Sequence, residues 1–275
     1  MILNSSTKIS NLLVTLSLVL ISQVAQAEPT QNHNIMTTTS LAKTDTNIAP
    51  DPTSRFSRFN PKNATFVFQA GAFSASQGNA QQIGITGLIG DRFTVTHDYG
   101  KNALLGLGYY VRAMDKSWFN MMYGLNAFYL AHTSVEGYVI QEGLFTNLSY
   151  RYSLTNYPIY AAIKTLLYTN NSRFNITLDL GMGPNIIKTR YFHEHSLDGV
   201  TLPDTIFSGE TNVVWSATAG IGIKLNNIIA RLPLEIGYRF FYLGQGHLDK
   251  QNDQVVNTLN TGNNYANALL ISTSV

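Results

Sequence analysis

The tripeptide His193, Glu194, His195 puts two imidazoles on one side of an extended chain, with Asp198 and Asp204 close behind. Neutral imidazole is a common zinc ligand. A metal site on His193 and His195 would draw its remaining ligands from those acids, or from His132 and His247 near other loops. A polar surface loop explains the same residues with fewer demands and is the reading taken here. His132 and Ser134 are two apart, so on a strand they share a face. A nucleophile and base need contact near ~3 Å and a third group to orient the base. No third residue is evident, and no enzymatic activity is expected. The chain contains no cysteine, which removes thiolate and disulfide chemistry.

A different pattern is more telling. The stretch "LPLEIGYRFFYLGQG", starting at Leu232, sets Glu235 and Arg239 inside a run of Leu, Ile, Tyr and Phe. On a strand of period two, Leu234, Ile236, Tyr238, Phe240 and Tyr242 share one face, and Glu235, Gly237, Arg239 and Phe241 the other. Which solvent each face meets depends on the elements around it.

Of the 275 residues only 12% are charged, about half the usual share for soluble domains, while Tyr (15), Phe (14) and Gly (21) are plentiful. After the N-terminus no apolar run reaches the roughly 20 residues of a membrane helix. Lys8, the apolar run Leu12 to Ile21 and then "SQVAQA" have the layout of a secretory signal peptide, with cleavage expected after Ala27. Residues 28–63 are polar and lack apolar periodicity, so a flexible segment is expected there. The formal net charge is +2, and Lys8 leaves with the signal; no nucleic-acid partner is indicated.

From Ala64 onward alternating segments recur. Strands are expected at about Ala64–Ala75, Ala103–Ala113, Phe119–His132, Phe145–Leu167, Phe174–Tyr191, Asn212–Leu225, Pro233–Leu243 and Tyr265–Val275. Short connections ("MDKSW", "YTNNSR", "NNIIARL") alternate with long ones at Ser76–Asn102, Thr133–Leu144, Phe192–Thr211 and Gly244–Asn264. Up-and-down hairpins of that kind place all long loops at one end. Within the strands, glycines and charges share a face opposite Leu, Ile, Met and aromatic residues. Arg or Lys facing lipid at the midplane costs roughly 2–4 kcal/mol, and a sheet in lipid must close on itself. The expectation is therefore an all-β, transmembrane, antiparallel up-and-down barrel with an apolar exterior. Arg112, Lys164, Asp179, Lys224, Glu235 and Arg239 would lie inside, the inner-face glycines making room for the long arms. Glu235 and Arg239 are expected to pair to neighbouring strands. Phe119, Tyr123 and Phe174 near the short turns, and Tyr129, Trp215, Phe240 and Tyr242 near the long loops, would form two aromatic girdles.

In the fourth strand the apolar residues change parity, even at Leu148, Tyr150, Tyr152 and Leu154 but odd at Ile159, Ala161 and Ile163. A bulge at "TNYP" is the expected cause. A turn there, with a further strand near Arg92–His97, would instead make ten strands. A soluble lipocalin-like barrel is the other alternative and would invert the two faces. The first long loop is unusually apolar and is expected to fold back over the mouth.

With eight strands, short turns and long loops behind a signal peptide, residues 64–275 resemble the small Gram-negative outer-membrane barrels of the OmpA/OmpX/opacity-protein type. That family usually ends in an aromatic residue, where this chain has Val275. The resemblance implies an outer-membrane protein of the cell surface that acts through its external loops in adhesion or envelope integrity. It implies outer-membrane lipid, lipopolysaccharide and the barrel-assembly machinery as partners, with a host or envelope ligand at the loops, a monomeric state and no cofactor. A narrow porin-like channel is the second reading and a lipid-acting enzyme the third. An interior plugged by charged side chains favours the first.

Overall fold

The structure, a computed structural model, describes residues 64–169, 171, 173–229 and 232–275. The signal sequence expected over 1–27 and the polar segment expected over 28–63 lie outside the described residues.

Twelve strands run through the described residues: β1 (Ala64–Ser76), β2 (Gln81–Ile83), β3 (Asp91–Phe93), β4 (Tyr99–Asp115), β5 (Phe119–Gln141), β6 (Phe145–Leu167), β7 (Phe174–Ser196), β8 (Phe207–Ser208), β9 (Thr211–Ile229), β10 (Leu232–Gly244), β11 (Asp249–Lys250) and β12 (Asn264–Ser274). Eight of them, β1, β4, β5, β6, β7, β9, β10 and β12, pair antiparallel in that order, and β12 pairs back onto β1. The ring is an up-and-down barrel of eight strands. The segment near Arg92–His97 does pair with β5, through Phe93↔Val139 and His97↔Glu136, but only at the long-loop end. It adds no ninth staff to the ring.

The strands outrun a membrane. β5, β6 and β7 have 23 residues each, whereas a tilted strand crosses the hydrocarbon in about 9–11. The connection expected over Thr133–Leu144 is consequently not a loop. β5 continues to Gln141, and a tight turn with positive φ at Glu142 and Gly143 starts β6 at Phe145. β7 likewise runs past Tyr191 to Ser196.

The bulge expected at "TNYP" is also absent from β6. Even-numbered residues face inward without interruption from Leu148 through Pro158 to Lys164. The register irregularities lie elsewhere: one between Leu130 and Thr133 of β5, one where β7 passes Tyr191, whose φ is 56°, and one opposite Val139 and Ile140 that leaves the extra residue in β6 at Asn147, near its start. What changes along β6 is the chemistry of each face. Inward it carries Leu148, Tyr150, Tyr152 and Leu154, then Asn156, Tyr160 and Lys164; outward it carries Ser149, Arg151 and Ser153, then Ile159, Ala161 and Ile163.

The physical reason is a change of solvent. Near the short turns the outer surface is a continuous apolar belt that includes exposed Leu107, Leu125, Leu180, Ile221 and Ile271. That surface is built for hydrocarbon. Nearer the long loops the outer surface is polar, so the apolar side chains must go inside, as in a water-soluble barrel. Two buried clusters follow. One, at the level of the belt, gathers Phe73, Leu104, Tyr110, Phe128, Tyr160, Phe241 and Leu270. The other, in the upper storey, gathers Ile83, Phe93, Tyr150, Tyr152, Ile187, Phe207, Leu248 and Leu259 from strands and long loops together.

Candidate functional site

Inside the belt-level barrel the charges form one connected group. Lys164 Nζ lies 3.1 Å from Asp179 Oδ2 and 2.7 Å from Glu235 Oε1. Arg239 Nη2 lies 3.1 Å from the same Asp179 oxygen, and its guanidinium sits over the Phe128 ring at 5.1 Å. Thr177 Oγ1 donates to Glu235 Oε1 at 3.0 Å. Lys164 and Asp179 are register partners on adjacent strands. Glu235 and Arg239, expected to pair to neighbouring strands, instead reach across the lumen from β10 to β6 and to β7. Alternation places both on the inner face of β10, and a narrow barrel brings non-adjacent strands within arm's length.

Two expectations about the interior change. Arg112 has interior parity but lies at the turn-side mouth, exposed and 3.4 Å from Asp115. Lys224 is half-buried beside that mouth, opposite Glu235 in the β9–β10 ladder. A Cβ at Gly106 would strike the Phe128 ring and one at Gly108 the Tyr110 ring, whereas one at Gly71, Gly124 or Gly183 would strike a carbonyl of the neighbouring strand. At Gly220 the nearest neighbour is the Tyr238 carbonyl at 3.1 Å, with Arg239 Nε at 3.5 Å in ordinary contact.

The long-loop end is closed by the loops. The Gln81 side chain and the Asn260 backbone exchange reciprocal hydrogen bonds, Gln81 Nε2 donating to Asn260 O at 2.6 Å and Gln81 Oε1 accepting from Asn260 N at 3.0 Å. Asn257 repeats the device with Gln82 and Gly84 at 2.9 and 2.7 Å. Ile85 bridges to Val255, and Phe207 and Lys250 join β8 to β11. The apolar first loop therefore covers the mouth, with Ile83 fully buried in the upper cluster. Leu88 and Ile89, from the same loop, remain exposed.

Those two belong to an apolar crest on the cap. Ile89 N donates to Glu142 Oε2 at 3.0 Å, which ties it to the β5–β6 turn carrying Leu144. Leu197 N donates to Asn147 O at 2.8 Å and brings Val200 and Leu202 to the same rim. Val256 N donates to Gly84 O at 2.8 Å. Exposures of 74% at Ile89, 75% at Leu144, 83% at Val200 and 85% at Leu202 mark these as side chains standing free of their own core.

The sequence pointed to histidine, and the structure disperses it. His193 and His195 face outward on β7 and are exposed, while Glu194 between them points inward and is buried. Among the described residues no three His, Asp or Glu side chains converge as a metal site. His247 Nε2 lies 3.0 Å from Glu210 instead. The His132 carbonyl accepts from Asn102, and the Ser134 hydroxyl accepts from Arg151 Nη2 at 3.2 Å, so that pair makes no hydrogen bond to one another among the described residues. Burial pushes the Glu194 carboxyl up to about 8, against the Asp204 N–H that donates to it at 3.1 Å. Burial also raises Asp91, whose Oδ1 accepts from Glu142 N. Neither acid was singled out from the sequence for such a role, because alternation alone does not show where a strand leaves lipid for water.

The aromatic residues expected as girdles lie on the outer face. Trp215 is 75% exposed, Tyr123 and Tyr129 are exposed, and Phe119, Phe174, Phe240 and Tyr242 are half-buried. Tyr129 packs on Tyr157, over whose ring Lys188 Nζ sits at 5.3 Å, and Phe240 and Tyr242 both contact Tyr265.

No family model matches the chain, and no curated protein matches it. Solved structures do. The outer membrane protein OprG from Pseudomonas aeruginosa is 11% identical, with 77% of this chain and 96% of that chain covered and a TM-score of 0.43. The attachment invasion locus protein Ail of Yersinia pestis is 9% identical over 78% and 99% of the two chains, with a TM-score of 0.31. The outer membrane protease OmpT from Escherichia coli is 9% identical over 80% and 97%, with a TM-score of 0.41.

Proposed function

We propose that this chain is a bacterial outer-membrane barrel that works as a surface-interaction protein through its capped long-loop end, without catalysing a reaction. The observation that carries the reading is the apolar crest of Ile89, Leu144, Val200 and Leu202. It stands on the cap, at the opposite end of 23-residue strands from the short turns, where it cannot serve as a contact with the protein's own bilayer. Exposed apolar groups gathered on a rigid scaffold mark interaction surfaces. The scaffold is rigid by construction, since the loops that bear the crest share a buried core and reciprocal amide pairs.

The belt-level interior favours the same reading over solute passage. Lys164, Asp179, Glu235 and Arg239 are cross-linked in the lumen beside Phe128, Tyr160 and Phe241, all buried. The test is adhesion by cells displaying the protein. Attachment to epithelial monolayers, or aggregation among the displaying cells, is expected to rise above that of cells lacking it. Replacing Ile89, Leu144, Val200 and Leu202 by Ser is expected to return both to background at equal surface display. Attachment that survives the four substitutions would remove the crest from the account.

A further inference from the structure

The turn-side mouth of the barrel, remote from the crest, carries a second polar site. A cavity of about 150 Å³ opens there, its wall including Arg112, Lys164, Lys224, Glu235, Asn120 and Tyr168. Lys164 and Glu235 tie its wall to the cross-lumen ion network, whose Asp179 and Arg239 do not line it. It is a pocket, with room for several waters.

Its charges do not balance locally. Lys164 is matched by Asp179 and Glu235, and Arg239 shares Asp179. Arg112 is matched by Asp115, which also accepts from the Tyr168 hydroxyl at 3.3 Å. Glu235 is already engaged, its Oε1 accepting from Lys164 and from Thr177. Lys224 is left over: half-buried, set between Glu235 and Asn175 in its two ladders, and without an ion pair of its own among the described residues. An ammonium drawn out of water is costly unless a partner compensates it. With three cations and one carboxylate in its wall, the cleft carries a net positive charge, and such a charge between low-dielectric walls concentrates the opposite ion.

We infer that this mouth is a binding site for a compact oxyanion of the phosphate class. Lys224 supplies the principal charge. Arg112 swings from Asp115 to clamp the ligand, its planar fork matching two oxygens at once. The Asn120 amide is the neutral donor, and the Tyr168 hydroxyl joins it on turning its one proton away from Asp115. Glu235 repels the ligand from the inner side, so the anion sits outward, between Lys224 and Arg112. The group could arrive as free phosphate or as the headgroup of a phospholipid, and both would use the same donors.

The experiment is calorimetric titration of the refolded full chain in uncharged maltoside micelles. One arm adds inorganic phosphate; the other dopes the micelles with phosphatidylglycerol and adds no phosphate. Saturable binding of phosphate is expected, weakened about tenfold by Lys224→Met, which keeps the stem and removes the charge, and largely retained by Lys224→Arg. A signal confined to the lipid arm, and lost in Lys224→Met, would assign the same site to a headgroup. Absence of saturable binding in both arms overturns the inference, as does binding that Lys224→Met leaves unchanged. Should Lys224→Met fail to fold, Arg112→Gln at the exposed rim reads the same site, with a severalfold loss expected. No loss there would likewise count against it.

Discussion

Glu194 stands between two exposed histidines, yet it is the residue of that tripeptide with altered chemistry. It is buried, it is pushed up to about 8 from 4.5 first by burial, and the Asp204 and Asp91 carboxylates nearby raise it further, against the lowering effect of the Asp204 N–H. Asp91, itself raised, faces it from β3, and Glu142 is next to Asp91. The sign follows from linkage. A carboxyl whose folded value lies above its unfolded value binds more protons when folded. Its contribution to the cap is complete below about 4.5 and is lost as pH rises through about 8. Amide exchange in the upper storey is therefore expected to quicken between pH 6 and 9 beyond its intrinsic pH dependence, and Glu194→Gln is expected to abolish that excess. Equal excess in both proteins would show that some other group controls the cap. The histidines had drawn attention because their type suggests ligation; the acid between them mattered because its side of the strand is dry.

At the scale of the element, β6 carries the lesson. A single strand with one uninterrupted inward parity passes from water to hydrocarbon, and its two faces exchange character on the way. Read without that transition, the pattern imitates a bulge, which is why one was expected at "TNYP". The reversal makes two positions on the same outward face unequal. Ile163→Arg puts a cation against lipid at a cost of roughly 2–4 kcal/mol and is expected to reduce folding yield in vesicles sharply. Ser153→Arg, beside Arg151 in the upper storey, is expected to stay within about 0.5 kcal/mol of the parent. Comparable vesicle yields for the two variants would mean that the lipid boundary has been drawn at the wrong height. Position, and not parity, is what the sequence alone could not assign.

For the whole molecule, the two storeys imply a closed body. The lower lumen is occupied by an ion network and aromatic rings, and the upper lumen by an apolar core under a cap of interlocked loops. In a planar bilayer the refolded protein is expected to be electrically silent apart from rare small flickers. Steady, reproducible conductance steps would overturn the closed body and make Lys164, Asp179, Glu235 and Arg239 the lining of a selective path.

The sequence by itself determined the barrel. Alternation of period two, glycines and charges on one face against Leu, Ile and aromatics on the other, and short turns alternating with long connections are all local patterns. Together they point to eight staves over ten and to which side meets lipid, and the closed ring decides the count. The tertiary structure decided the rest. That Glu235 and Arg239 pair across the lumen, that Thr133–Gln141 is strand, that "NTLNTGNN" helps to latch a cap and that Lys224 makes no ion pair of its own among the described residues are facts of proximity between residues far apart in the chain. The curvature of the closed ring and the height of the lipid boundary bring those residues together, and neither is written in the alternation along one strand.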